Sequence, residues 1–138
     1  IFVGSFSDSD GDGIGDLRGI INRMDYLNDG NVNGGKDLGV QGIWLSPIFE
    51  SPSYHKYDAI DYYRIDEQFG SMDDLKELIA LCHQRNVKII LDLVINHSSV
   101  QNDWFLKFKS ISPEMILNKI TNRKFINDDK KHMKHKKK

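Results

Sequence analysis

The chain has 138 residues and a formal net charge of −1, which is enough for one small domain with its own core. The charge is unevenly divided, since residues 1–106 carry 17 acids and 8 bases whereas residues 107–138 carry 3 acids and 11 bases. The single cysteine excludes an internal disulfide, and no apolar stretch is long enough for a membrane span. Because the chain begins with Ile1 rather than Met, we expect that residues precede it.

Residues 1–3 are predicted to end a strand, and an acidic loop follows. Oxygen-bearing side chains recur in this loop at the spacing of a calcium loop, in which a glycine permits a sharp bend and an apolar residue offers its carbonyl. The ligands would be Asp8, Asp10, Asp12, Ile14 and Asp16. A calcium sensor would have a bidentate Glu where Gly19 stands, so the motif predicts a structural Ca²⁺ site. The alternative is a solvated acidic turn.

The next elements alternate between helix and strand. Apolar residues recur at helical spacing over 17–28, and residues 39–49 are predicted to form a buried strand. A second helix over 71–84 should begin with a capping box of Ser and Asp. Its cysteine, Cys82, lies among apolar residues and is predicted to be a small core residue.

The third predicted strand, residues 87–97, is the element around which the others are arranged. Its apolar, β-branched composition predicts burial on both faces, as in a parallel sheet covered by helices. Asp92 lies inside it, and Asn96 and His97 follow at its exit; a buried carboxylate is rare unless it has partners. The element order predicts βαβαβ units, in which ligands bind at the carboxyl ends of the strands.

The long polar and aromatic segment at residues 50–70 is predicted to be a functional loop. Aromatic rings beside carboxylates and a histidine suit a polyhydroxylated ligand, because sugar rings have apolar faces and hydroxyls that need donors and acceptors. Tyr57 and Asp58, with His97 from the next strand, form the best such set. Ordinary half-buried packing explains the other tyrosines of the segment equally well: Tyr54, Tyr62 and Tyr63.

Four stretches in this order resemble the alpha-amylase family, glycoside hydrolase family 13. The pattern Asp-x-x-x-Asn-His at residues 92–97 is the first, and Trp104-Phe105 after it also fits. The others are the acidic loop running into Leu-Arg-Gly at 17–19, Gly-Ile-Trp-Leu-Ser-Pro at 42–47 and Ser-Tyr-His-Lys-Tyr-Asp at 53–58. The resemblance implies an α/β fold, a (β/α)8 TIM barrel, of which this chain would supply the first three βα units.

The resemblance also implies roles for the residues of the sugar site. Tyr57 would stack on the sugar next to the cleaved bond, His97 would hydrogen-bond it, and His55 and Asp58 would line the same subsite. Asp92 would organise the strand end rather than act as a catalyst.

Two further positions bear on metals and on the loop path. In some members the residue at the Asn96 position helps to bind a calcium ion, and the acidic loop at 8–16 matches the family's metal loop. Lys56 stands where the family commonly has glycine.

Retaining hydrolysis of a glycosidic bond requires two carboxyl groups about 5–5.5 Å apart, a nucleophile and a general acid. In this family the catalytic Asp, Glu and Asp lie on later strands, and no aspartate of residues 1–106 matches those motifs. We therefore predict a fragment of a retaining glycoside hydrolase acting on α-linked glucans, without catalytic residues and without activity alone. The alternatives are a catalytically silent amylase-like subunit bound to another protein, and a small calcium-binding module.

The sequence after the third unit does not continue the family pattern. We predict that residues 1–108 are the amino-terminal part of the barrel and that residues 109–138 are a basic, disordered tail, from a frameshift or a truncated gene. The alternative is a tail that binds nucleic acid or a membrane surface, although it lacks the interleaved aromatic residues of such sites. The predicted partner is an α-glucan, with no specific nucleic acid and no membrane span.

Overall fold

The computed structural model describes residues 1–111 and Met115. The chain divides into two units, residues 1–102 and 103–138. Within the described residues, no helix combines the length and the apolar character needed to cross a bilayer. The first unit contains strands β1 (Gly42–Leu45), β2 (Phe49–Glu50), β3 (Asp61–Ile65) and β4 (Lys88–Leu91), and helices α1 (Leu17–Asn22), α2 (Met24–Leu27) and α3 (Met72–Gln84). Single 3₁₀ turns lie at Val3–Ser5 and Glu67–Phe69.

Strands β1 and β4 pair in parallel, and their register runs from Gly42 opposite Lys88 to Leu45 opposite Leu91. One face of this pair buries Ile43 and Leu45 against the helices, in a core that also contains Leu17, Ile20, Leu75 and Leu78. A parallel pair joined through a helix is the expected product of the alternating element order.

The prediction that residues 87–97 form one strand buried on both faces was wrong. The strand ends at Leu91, because its partner β1 ends at Leu45 and Pro47 has no N–H to extend the ladder. Ile90 and Leu91 are 55% and 37% exposed, and within the described residues no further strand joins the outer edge of β4.

Two other boundaries differ from the sequence expectation. The structure places no strand at residues 1–3, although Ile1 donates to the Trp44 carbonyl at 2.6 Å and accepts from the Ser46 N–H at 3.0 Å. The chain turns at Val3–Ser5 instead of extending. The segment at 50–70 is not one loop, because β2 and β3 form an antiparallel pair within it.

The predicted helices are confirmed with one change. Helix α3 begins with the capping box of Ser71 and Asp74, and Cys82 is fully buried. The predicted helix over 17–28 breaks at Arg23, whose N–H donates to the Ile20 carbonyl three residues back at 3.0 Å. Met24 and Leu27 after the break are still buried, so the apolar face continues through it.

The second unit is described through helix α4 (Asp103–Lys109). Its first and last turns are linked by an ion pair between Asp103 and Lys107 at 3.6 Å. The tail predicted over 109–138 lies outside the described residues except for residues 109–111 and Met115.

Candidate functional site

The segment after β1 and the segment after β4 are joined by hydrogen bonds at the carboxyl end of the parallel pair. The Tyr62 hydroxyl donates to the His97 carbonyl at 2.9 Å, and the Ser99 N–H donates to the Ala59 carbonyl at 3.0 Å. The Asn102 amide donates to the Ile60 carbonyl at 2.8 Å. The predicted site residues of both segments therefore follow the same end of the parallel pair, the carboxyl end of its strands.

Tyr57 and Asp92 form the most direct link between the two segments. The tyrosine hydroxyl donates to Oδ2 of Asp92 at 2.8 Å, across 35 residues of sequence. This hydrogen bond to a carboxylate raises the pKa of Tyr57 above its ordinary value, and desolvation adds to the rise. The phenol is therefore held neutral and the ring is fixed from one end, and the residue as a whole is half-buried.

Asp58 and His55 share a network of serine hydroxyls. Ser51 donates to Oδ1 of Asp58 at 2.8 Å, and the Ser53 hydroxyl also donates to it. Burial alone would raise the pKa of Asp58, but the serine hydrogen bonds outweigh it and the pKa is lowered. The Tyr57 N–H donates to Nδ1 of His55 at 3.1 Å, which leaves Nε2 of the exposed ring to carry the proton toward solvent.

A buried ion pair lies under this loop. The ammonium group of Lys56 donates to Oδ2 of Asp66 at 2.8 Å, and both side chains are less than 10% exposed. It also donates to Oε1 of Gln68 at 2.9 Å and to the Ser51 carbonyl at 3.4 Å. A buried charge needs this degree of pairing, because each ion loses its hydration on folding.

The acidic loop brings three of the predicted metal ligands together. Carboxylate oxygens of Asp8, Asp10 and Asp16 lie within 4.8 Å of one another, while Asp12 lies outside this group. The Gly11 and Gly13 N–H groups donate to Asp8 at 2.7 and 2.8 Å, and these bonds lower its pKa. Hard oxygen ligands on alternate residues are the donor set that Ca²⁺ prefers, so the three carboxylates fit such an ion.

Comparison with known proteins identifies the family and the fold. The family model described as alpha amylase, catalytic domain, matches residues 1–137. The chain belongs to the alpha-amylase family. It is 48% identical over 110 residues to alpha-amylase 3 of Dictyoglomus thermophilum and 49% identical over 108 residues to an oligo-1,6-glucosidase of Bacillus cereus. Those alignments cover 80% and 78% of this chain.

A solved alpha-amylase from H. orenii shares the fold, with a TM-score of 0.76 and 60% identity over 78% of this chain. The alignment covers 22% of that structure, and this chain spans about a fifth of the length of the curated relatives it matches. The predicted family and the predicted fold, a partial TIM barrel, are therefore confirmed. The amylase-family relatives are hydrolases of glycosidic bonds, as the sequence predicts.

The predicted site residues are placed as follows. Tyr57, Asp58 and Asp92 form the hydrogen-bonded network described above, and His55 contacts it. Asn96 and His97 are exposed, and the His97 carbonyl accepts from the Tyr62 hydroxyl. Their roles toward a sugar or a metal stay predictions.

Sequence reasoning missed the residues that support the loop. Ser51 and Ser53 flank Pro52 in a Ser-x-Ser pattern, which is a weak signal for hydroxyls that orient a nearby carboxylate. Lys56 was noted only because it replaces the family's usual glycine, and its pairing with Asp66 gave no signal, because both residue types are usually exposed.

Proposed function

We propose that this chain forms the amino-terminal part of an α-glucan-binding face in a retaining glycoside hydrolase. The observation that carries the proposal is the hydrogen bond of Tyr57 to Asp92, which joins the loops of two parallel strands into one surface. Tyr57, His55 and Asp58 on one loop and His97 on the other are the groups that would contact the sugar.

The chemistry of these groups suits a sugar ring. A tyrosine whose hydroxyl is already bonded offers its ring face to the apolar C–H face of a sugar. His55 and Tyr57 have ring centroids 5.9 Å apart and are tilted by 39°, so together they form an angled aromatic surface. The ionised Asp58 and the imidazole Nε2 supply an acceptor and a donor for sugar hydroxyls.

Binding of maltotriose to the full chain tests this proposal. We expect maltotriose to bind, and shifts of the tyrosine NMR signals measure this binding. We expect Tyr57→Ala to weaken the binding about tenfold, because the stacking ring is lost. Tyr26→Ala is the matched control, since Tyr26 is an exposed tyrosine on helix α2. Equal affinity of Tyr57→Ala and the unchanged chain, or equal binding of the β-linked cellotriose, would overturn the proposal.

We propose that hydrolysis requires a pair of catalytic carboxyl groups that residues 1–106 do not supply. Retaining hydrolysis uses two carboxyl groups placed about 5–5.5 Å apart across the scissile bond. We expect the purified chain to release no reducing sugar from soluble starch. Release above that of an Asp92→Ala variant would show a catalytic pair within the chain itself.

We also propose that the acidic loop binds a structural Ca²⁺. The cluster of Asp8, Asp10 and Asp16 supports it, with Asp12 and the Ile14 carbonyl as further ligands from the motif. When bound, the ion would neutralise the loop that precedes helix α1. Calcium titration calorimetry should detect one site that Asp10→Asn weakens and the exposed control Asp73→Asn leaves unchanged. No heat of binding for the folded chain would overturn this.

A further inference from the structure

Lys56 has an unusual backbone for a lysine. Its φ is +61°, in the left-handed region that glycine adopts freely and other residues seldom occupy. Its side chain is nevertheless buried, at 5% exposure. A strained backbone persists where the surrounding contacts fix it, so the contacts of this side chain must hold the conformation.

The ammonium group of Lys56 has three N–H bonds and donates to three acceptors. It donates to Asp66 at 2.8 Å, to Gln68 at 2.9 Å and to the Ser51 carbonyl at 3.4 Å, and it lies 5.4 Å from the centre of the Phe69 ring. Asp66 also accepts from the Ser51 N–H at 3.2 Å. The pair therefore ties the start of the loop to the 3₁₀ turn at Glu67–Phe69.

The residues on either side of Lys56 are the two aromatic groups of the proposed sugar surface. The Tyr57 N–H donates to the His55 ring across the lysine at 3.1 Å. Since Lys56 points inward and is held there, the chain reversal at this position exposes His55 and leaves the ring of Tyr57 half-exposed. Movement of Lys56 would move both rings together.

We propose that Lys56 is a positioning residue of the α-glucan surface, whose buried pairing with Asp66 sets the orientation of Tyr57 toward Asp92. This inference rests on the proposed function only for the identity of the ligand. It assigns to a buried side chain, between the exposed His55 and the half-buried Tyr57, the task of fixing the aromatic surface. A purely structural lysine would stabilise the fold without determining the environment of the Tyr57 hydroxyl.

The test uses the full chain with tyrosine labelled with ¹³C at Cζ, a nucleus that senses the hydrogen bond of the phenol. The Tyr57 signal is assigned by its loss in Tyr57→Phe, and its position without the carboxylate is given by Asp92→Ala. We expect Lys56→Met to move the Tyr57 signal toward the Asp92→Ala position. Lys76→Met is the matched control, because Lys76 also pairs with an aspartate at 2.8 Å but on an exposed helix face.

A second variant keeps the test decisive if Lys56→Met does not fold. Asp66→Asn can keep one oxygen toward the Ser51 N–H, but it removes the charge that holds the ammonium group and the acceptor of the Gln68 N–H, so it should move the same signal. The inference is overturned if the folded Lys56→Met, or Asp66→Asn in its place, leaves the Tyr57 signal unmoved. It is also overturned if Lys76→Met moves the signal equally.

Maltotriose binding separates this inference from the proposed function. If the inference and the function both hold, Lys56→Met shifts the Tyr57 signal and weakens binding severalfold. A shift of the Tyr57 signal in a chain that does not bind maltotriose supports the positioning role and rejects the ligand. Binding that depends on Tyr57 while its signal is insensitive to Lys56→Met supports the ligand and rejects the positioning role.

Discussion

Gly19, in the first turn of helix α1, has no room for a side chain. A Cβ at this position would overlap the carbonyl oxygen of Ser7, in the acidic loop. That loop is fixed there, because the Asp16 N–H donates to the same carbonyl at 3.1 Å and Asp16 caps the helix through the Gly19 N–H. The acidic loop therefore approaches helix α1 this closely because residue 19 has no Cβ.

Replacing Gly19 by Ala should destabilise the chain although it lies in a helix. Helix propensity alone favours Ala by about 1 kcal/mol, but the rigid backbone of Ser7 cannot move away cheaply, and overpacking of this kind costs about 1–3 kcal/mol. We expect a net loss of unfolding free energy, measured by urea denaturation. Gly42→Ala is the control, since its Cβ would meet only ordinary contacts at 3.6 Å. An increase in stability for Gly19→Ala would contradict the steric argument.

The site residues that could be predicted are those whose chemistry shows in the residue type. Tyrosine, histidine and aspartate at the ends of predicted strands indicated the polar side of the sheet, and Tyr57 and Asp92 do meet there. Lys56 was noticed only as a replacement of the family's usual glycine, and its buried pairing could not be predicted, because burial depends on the folded chain. The pairing of Asp66 could not be predicted either, because the antiparallel pairing of β2 and β3 brings its partner close.

At the scale of elements, helix α3 is held at its first turn by one carboxylate. Ser71 donates to Asp74 through its hydroxyl and through its N–H at 2.9 Å, and Arg18 of helix α1 donates to it at 2.7 Å. In that order these contacts lower the pKa of Asp74 to about 2. The capping box therefore also joins two helices, which the sequence pattern does not show.

Acid should weaken this arrangement over a defined range. A carboxyl whose pKa is lower in the folded chain stabilises the fold above its unfolded pKa near 4, and the stabilisation is lost as the pH falls through about 2. As the pH falls from about 4 to about 2, the unfolding free energy of the unchanged chain should decrease by about 1 kcal/mol more than that of Asp74→Asn. The difference is no larger than this because solvent screens part of the interaction. Urea titrations at several pH values measure the difference.

The neighbouring residue provides the control for that measurement. Asp73 is exposed and pairs with Lys76 on the surface, so Asp73→Asn should keep the pH dependence of the unchanged chain. If Asp74→Asn and Asp73→Asn showed the same dependence, the low pKa of Asp74 would not contribute to stability.

Element types were more predictable than element lengths. Helical periodicity identified α1 and α3, and runs of apolar, β-branched residues identified β1 and β4, because burial leaves a pattern in the sequence. The ends depend on partners: β4 ends where β1 ends, and the hairpin of β2 and β3 forms within a segment rich in turn residues. The ends of the strands are therefore determined by pairing across the sheet, and the sequence of one strand alone does not reveal them.

At the scale of the whole first unit, the parallel pair has one covered and one uncovered face. Ile43 packs into the core, whereas Trp44 and Ile90 lie opposite each other in the register and are 47% and 55% exposed. An apolar cross-strand pair beside a strand edge is typical of a surface that binds other chains or associates with itself. The segment after β4 has two further exposed apolar side chains, Leu93 and Ile95, which are 70% and 80% exposed.

This surface should make the chain associate as its concentration rises. We expect sedimentation velocity in the micromolar range to show an increasing average mass, and we expect Ile90→Lys to shift the distribution toward the monomer, because a charge on the strand would lose its hydration in any contact. Val32→Lys is the matched control, since Val32 is 93% exposed but lies in the loop before β1 and not on the parallel pair. An effect of Val32→Lys equal to that of Ile90→Lys would show that added charge, and not the uncovered face of the sheet, determines association. A monomer at every concentration would mean that the exposed pair of Trp44 and Ile90 does not drive association.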